Sequence, residues 1–167
     1  MTNVSGNNVD DLVGALADKD AAKRKSAREA LVEIGASTVP PLLKTLDGAE
    51  QHVRWEIAKA LTSIAEPSAA EPLVEALGDD DSDVRWVVGE ALIVLGRCAV
   101  KPLLTALTKS QDSEGYYQAS HHVLHDLSKS ADLAPLLAPV LAALGRSEPQ
   151  VGVPVAAADA LAKLDAS

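Results

Sequence analysis

Residues 53–61 read VRWEIAKAL and residues 84–92 read VRWVVGEAL. A chain that writes one nonapeptide twice, with both of its tryptophans at the same place in each copy, is built from repeats. Working outward, Leu61 and Leu92 have counterparts in Leu31, Leu124 and Leu161, and Ala30, Ala60, Ala91 and Ala160 precede four of the five. A second landmark lies upstream of each. PPLLKTL starts at Pro40, EPLVEAL at Glu71, KPLLTAL at Lys101 and APVLAAL at Ala138, with DDLVGAL from Asp10 as a copy without the proline. Each unit is a short apolar stripe, a polar turn and a longer apolar stripe. The units run over 10–39, 40–70, 71–100, 101–130 and 131–167, behind a polar, flexible terminus at 1–9.

Both stripes have the period of a helix. Leu42, Leu43 and Leu46, then Leu73, Val74 and Leu77, share one face of the first helix. Val53, Ile57, Ala60, Leu61 and Ile64 share one face of the second, as do Val84, Val88, Ala91, Leu92 and Leu95. The proline fits a first helical turn, where a missing N–H costs nothing. Asp20, Glu50 and Asp81 precede the second helices and suit their N-termini by capping or by the dipole. Gly35 and Gly96 follow the last apolar positions, where glycine closes a helix. One such hairpin cannot bury its apolar faces alone, but stacked copies can. The expected fold is all-α: a right-handed superhelical solenoid of about five helical hairpins.

Composition agrees. Apolar residues make up 47% of the 167, yet there is no Phe, two Trp and two Tyr. A core of Ala, Leu and Val suits closely packed helices and not a β-sandwich. The net charge of −9 disfavours nucleic acid and anionic membranes as partners, because both are bound chiefly through Lys and Arg. The one cluster of basic residues, Lys19, Lys23, Arg24, Lys25 and Arg28, lies on the first unit, where a solvated end face accounts for it. Cys98 is the single cysteine and has no internal disulfide partner. The opening MTNVSGNNVDD lacks the pattern of a signal peptide, and no stretch is long and apolar enough to span a bilayer. The sequence reads as a soluble cytoplasmic protein, a monomer or weak homodimer.

The Pro-Leu start of the first helix and the acid-x-x-Val-Arg…Ala-Leu-x-x-Ile-Gly run of the second resemble the HEAT-repeat family over residues 10–165. Among its branches the chain is similar to the short repeats of the phycobilin-lyase type. The resemblance implies first helices on a convex side and second helices on a concave side. It implies that Arg24, Arg54 and Arg85 pair with acids at neighbouring helix starts, such as Asp20, Glu50 and Asp81. The fourth unit departs from the pattern with SQDSEGYYQAS, and the fifth has Pro154 in place of the arginine.

Helical arithmetic places Trp55 and Trp86 away from the buried stripe. The aligned outward stripe reads Lys25, Glu29, Val32, then Trp55, Lys59, Thr62, then Trp86, Glu90, Ile93, then Gln118, His122, His125, and last Val155, Asp159, Ala162. Two readings of the tryptophans stand. They fill gaps between repeats, or they form an aromatic ledge for a partner; a gap-filler in this Phe-free chain is more naturally aliphatic. The ledge reading makes the chain a non-catalytic scaffold for a protein or peptide, with Trp55, Trp86, Lys59, Glu90, Gln118 and His122 as binding residues. The alternative, implied by the phycobilin-lyase branch, is an accessory lyase or binding protein for a tetrapyrrole or other flat ligand on the same face. Tyr116 and Tyr117 either extend the ledge or pack the fourth unit.

Metal and cofactor chemistry finds little support. His121 and His125 are four apart and share a helix face, half a metal site, with no second cluster to complete it. His121 aligns with Ala58 and Gly89, so a half-buried structural role suits it better. HEAT-like hydroxylases hold iron through His-Glu pairs, and no His-Glu dipeptide occurs here. HEAT-like DNA glycosylases use a basic concave face, which the acidity of this chain opposes. GASTV around Ser37 lacks the ending of a phosphate loop. No cofactor and no metal are expected.

Overall fold

The computed structural model describes residues 4–109, 111 and 113–166, with side chains from Asn8 onward. Among them are ten α-helices and no strand. They form five consecutive pairs: α1 (Val4–Ala15) with α2 (Ala21–Ile34), α3 (Val39–Leu46) with α4 (Gln51–Ile64), α5 (Ala70–Ala76) with α6 (Ser82–Leu95), α7 (Arg97–Leu107) with α8 (Glu114–Leu127), and α9 (Ala134–Leu144) with α10 (Pro149–Asp165). This is the α-α solenoid expected from the repeat. Helix α1 begins at Val4, ahead of the boundary set at Asp10, and Val9 packs on the core, so the end of the segment read as a flexible terminus is helical.

The second helices form one row, α2 on α4, α4 on α6 and α6 on α8, while α1 packs on α3 and α5 on α7. The repeated leucines are the reason. Leu31, Leu61, Leu92 and Leu124 are all buried, as are Val53, Ile57 and Ala60 of α4 and Val84, Val88 and Ala91 of α6. Each such leucine contributes about 1.5–3 kcal/mol by leaving water. Alanine and glycine at the contacts, Ala58, Ala60, Gly89 and Ala91, let the helices approach closely.

Helix ends follow local chemistry. The Asp20 carboxylate accepts from the Ala22 N–H at 2.8 Å, and that of Asp81 from Asp83 and Val84 at 2.9 and 3.0 Å. Glu50 occupies the same place without a side-chain cap bond. Gly35 and Gly96 close α2 and α6 at φ of 85° and 61°; Ala65 closes α4 in the left-handed region at φ 53°. Prolines depart from the expected register in the later units. Helix α7 starts at Arg97 and α9 at Ala134, so Pro102 and Pro139 fall inside their helices.

Arginine fastens each early hairpin. The Nη1 groups of Arg24, Arg54 and Arg85 donate to carbonyls of the turn just before their own helix, at Asp18 (2.9 Å), Ala49 (2.8 Å) and Asp79 (2.7 Å). The acidic partners differ from those the resemblance implied. Arg54 makes a fork onto Asp79, Nε to Oδ2 at 2.6 Å and Nη2 to Oδ1 at 2.9 Å, and also reaches Asp80. Arg24 and Arg28 both donate to Glu56, a buried carboxylate on α4. Two of the five cluster cations are thereby taken up inside the stack. In the fourth unit Tyr117 holds the arginine's register, and its hydroxyl accepts from the Gln111 N–H of the preceding turn at 2.9 Å. Tyr116 and Tyr117 are both buried, which answers the open question: they pack the fourth unit.

The fifth pair is reversed relative to the others. Helix α9 packs on α8, whereas α10 packs on α9 and α7, and Lys101 of α7 pairs with Asp165 of α10 at 2.6 Å. The second helix of the last unit therefore joins the row of first helices. Val155, Asp159 and Ala162 are exposed on α10 and do not continue the stripe that runs from α2 to α8, as the alignment had placed them.

Candidate functional site on the second helices

The inner helices of the row are α4 and α6, and the outward residue of α6 is Trp86. That indole is 58% exposed in a chain whose core contains no Phe or Trp. Its position follows from the helix: Val84, Val87, Val88 and Ala91 turn inward, which leaves residue 86 on the far side. The ring of His122 on α8 stacks on Trp86, centroids 4.5 Å apart and planes at 24°. His122 Nε2 lies 3.0 Å from Glu90 Oε1, one helical turn beyond Trp86 on α6. Glu90 thus anchors the imidazole, and the imidazole supports the indole.

Trp55, in the same register on α4, is set differently. It is half-buried and packs against the core. The guanidinium of Arg28 lies 5.8 Å and the ammonium of Lys59 5.7 Å from its ring centroid, both within cation–π range. Arg28 reaches it because the buried Glu56 carboxylate draws that side chain across from α2. Sequence reasoning did not foresee the buried pairing of Glu56 with Arg24 and Arg28, and a signal existed: Glu56 stands where Val87 and Ala119 stand in the next two repeats, an apolar position occupied by a charge.

Between α4 and α6 the two tryptophans share a groove of about 470 Å³, lined also by Lys59, Thr62, Asp83, Val87 and Glu90. On the other side of Trp86 a smaller groove of about 270 Å³ lies against α8, lined by Arg85, Gly89, Gly115, Gln118 and His122 among others. The candidate residues Trp55, Trp86, Lys59, Glu90, Gln118 and His122 all line one or the other. At the end of the row, Gln118 and His121 face the α9–α10 turn across a cavity of about 830 Å³ that includes Leu144, Arg146 and Pro149.

The remaining histidines offer different chemistry. His121 is half-buried and stacks on the exposed His125, centroids 6.1 Å apart. Among the described residues no group of three or more His, Cys, Asp or Glu is placed to hold a metal ion. The Asp126 carboxyl beside them is held below the usual carboxylate range, first by its hydrogen bond from Lys129. No helix among the described residues is long and apolar enough to cross a membrane.

Three solved structures resemble the chain with 19–25% identity: an engineered protein at TM-score 0.45 (25% identity, 95% of this chain and 79% of that one), a second engineered protein at 0.45 (19%, 100% of each), and a designed armadillo repeat protein at 0.44 (20%, 93% and 82%). No curated protein sequence matches. The family model for HEAT repeats matches twice in overlapping register, over residues 9–93 and 39–124. With recurring hairpins, stacked second helices and that match over most of its length, the chain belongs to the HEAT-repeat family.

Proposed function

We propose that this protein is a non-catalytic scaffold that binds a protein or peptide along the face of its second helices. Trp86 and Trp55 act as aromatic anchors, with Lys59, Glu90, Gln118 and His122 around them. Solenoids of stacked helical repeats offer extended surfaces of this kind for partners. The observation that carries the reading is Trp86: a large indole left mostly in water, supported by a His122–Glu90 pair and open to grooves on either side. An exposed indole costs the fold solubility and returns little packing, whereas at interfaces tryptophan is enriched among the residues that dominate affinity. The phycobilin-lyase branch rests on motif resemblance alone, and no feature of the face singles out a tetrapyrrole.

The test is capture of partners from source lysate by wild type and Trp86→Ala side by side. Far-UV circular dichroism and the thermal midpoint should barely change, because the side chain is mostly exposed. Specific partners should be lost from the variant. Equal recovery of every partner by both proteins would overturn the reading.

A further inference from the structure

The two tryptophan steps of the stack differ in one respect. At the α2–α4 step the chain supplies its own arginine: Arg28 rises from α2, lies over Trp55 and donates to Glu56. At the α4–α6 step the equivalent of Arg28 is Ala58, and the equivalent of Glu56 is Val87. Lys59, the cation on the near wall, lies over Trp55. Among the described residues no Lys or Arg is recorded over the Trp86 ring; one of its faces carries His122 from α8. Trp86 also lines the 470 Å³ groove on the α4 side.

That groove also carries acid. Asp83, one turn before Trp86, and Glu90, one turn after it, both line the groove. Glu90 engages His122 through Oε1, which leaves Oε2 for another donor. A groove lined by an indole and two carboxylates suits a flat cation, one that stacks and donates in a fork at once. The net charge of −9 favours the approach of a basic segment.

We propose that the groove between α4 and α6 accepts an arginine side chain of the partner, its guanidinium stacked on Trp86 and paired with Asp83 and Glu90, in the manner of Arg28 on Trp55 and Glu56. The inference rests on the scaffold function above and names the chemistry of its ligand: a basic peptide segment.

The probe is a blocked peptide, acetyl-Gly-Arg-Gly-Arg-Gly-amide, beside the same peptide with citrulline for arginine, which keeps the shape and removes the charge. The chain's two indole N–H signals, assigned with Trp55→Phe, report binding by nitrogen–proton NMR. The arginine peptide should move the Trp86 signal more than the Trp55 signal. The citrulline peptide, and the arginine peptide against Asp83→Asn/Glu90→Gln, should each bind about tenfold more weakly, the scale of a partly desolvated cation–π and ion-pair contact. Glu90→Gln keeps a hydrogen-bonding group for His122, and circular dichroism checks the fold of the double variant. Equal binding of the two peptides, indifference to the double variant, or no Trp86 shift at millimolar arginine peptide would each overturn the inference. If those results came while Trp86→Ala still lost its natural partner, the face would bind by other chemistry and the scaffold reading would stand. If Trp86→Ala captured partners as wild type does, the scaffold reading itself would fall.

Discussion

Arg54→Met tests what holds successive repeats together. The methionine keeps the apolar stem and removes the guanidinium. Lost with it are the fork onto Asp79 at 2.6 and 2.9 Å, the contact to Asp80 at 2.8 Å and the bond to the Ala49 carbonyl at 2.8 Å. Asp79 has 8% of its side chain exposed and would be left as an unpaired buried carboxylate. Breaking a buried ion pair from one side costs about 3–5 kcal/mol. Arg54 retains 20% exposure, so water can partly replace it, and the lower end of that range, about 3 kcal/mol, is expected. For a chain of this length that is a drop in thermal midpoint of about 6–12 °C. Asp80→Asn is the control: at 92% exposure Asp80 should contribute less than about 1 kcal/mol. The assay is urea unfolding followed by circular dichroism at several pH values. Burial pushes the Asp79 carboxyl up, but hydrogen bonds from Arg54 and the Asp81 N–H, with the charge of Arg54, outweigh it and hold it below the ordinary carboxylate range. The unfolded chain therefore takes up this proton first. The stabilisation is fully present above the unfolded carboxylate pKa of about 4 and is lost as pH falls through the lower folded value. In Arg54→Met burial acts with less opposition, so acid relieves the stranded charge and the gap to wild type narrows below about pH 5. A loss under about 1 kcal/mol at neutral pH, or one equal to that of Asp80→Asn, would refute the reasoning.

Three further outcomes are expected. Ala65→Gly should stabilise by about 0.5–1 kcal/mol in the same assay, because relief of a left-handed alanine exceeds the extra freedom glycine gives the unfolded chain. Ser120 is fully buried and its hydroxyl has no hydrogen-bond partner, so Ser120→Ala should raise stability by about 1 kcal/mol, read from the urea midpoint. Burial, reinforced by the charge of Glu75, pushes the Tyr116 phenol up to about 12. Ultraviolet difference titration should show it un-ionised at pH 11, and, since the unfolded chain ionises first, its contribution to stability should fade as pH rises above about 10.

The hairpins were legible because apolar residues at Leu31, Leu61, Leu92 and Leu124 recur in step with polar turns, and a helix buries what its period lines up. The same logic misplaced α10. Leu161 falls at the right interval, but α10 has small apolar residues on several sides, with Val153, Ala157 and Ala160 buried and Val151 and Val155 exposed. A helix without one dominant stripe leaves its packing side to the tertiary fold, and here it settles on α7. The pairing partners of the arginines were not legible either. Asp79, Asp80 and Asp81 are adjacent in sequence, and only the turn decides that Asp81 caps α6 while Asp79 faces Arg54. For the candidate face, one-dimensional spacing brought Trp55 and Trp86 to the same side. It gave no hint that Arg28, reaching across from α2, would occupy one ring and leave the other to His122.

The reversal of the last hairpin sets a ruler for any occupant. The aligned track crosses α2, α4, α6 and α8 and then meets the α9–α10 turn as an end wall. Three steps of about 8–10 Å between helix axes give a footprint of about 24–30 Å. An extended strand of about seven to nine residues covers that distance at about 3.3 Å per residue. Longer segments would have to leave the surface at α8, and inserting an additional hairpin between the second and third units would lengthen the footprint by one helix width without disturbing either end.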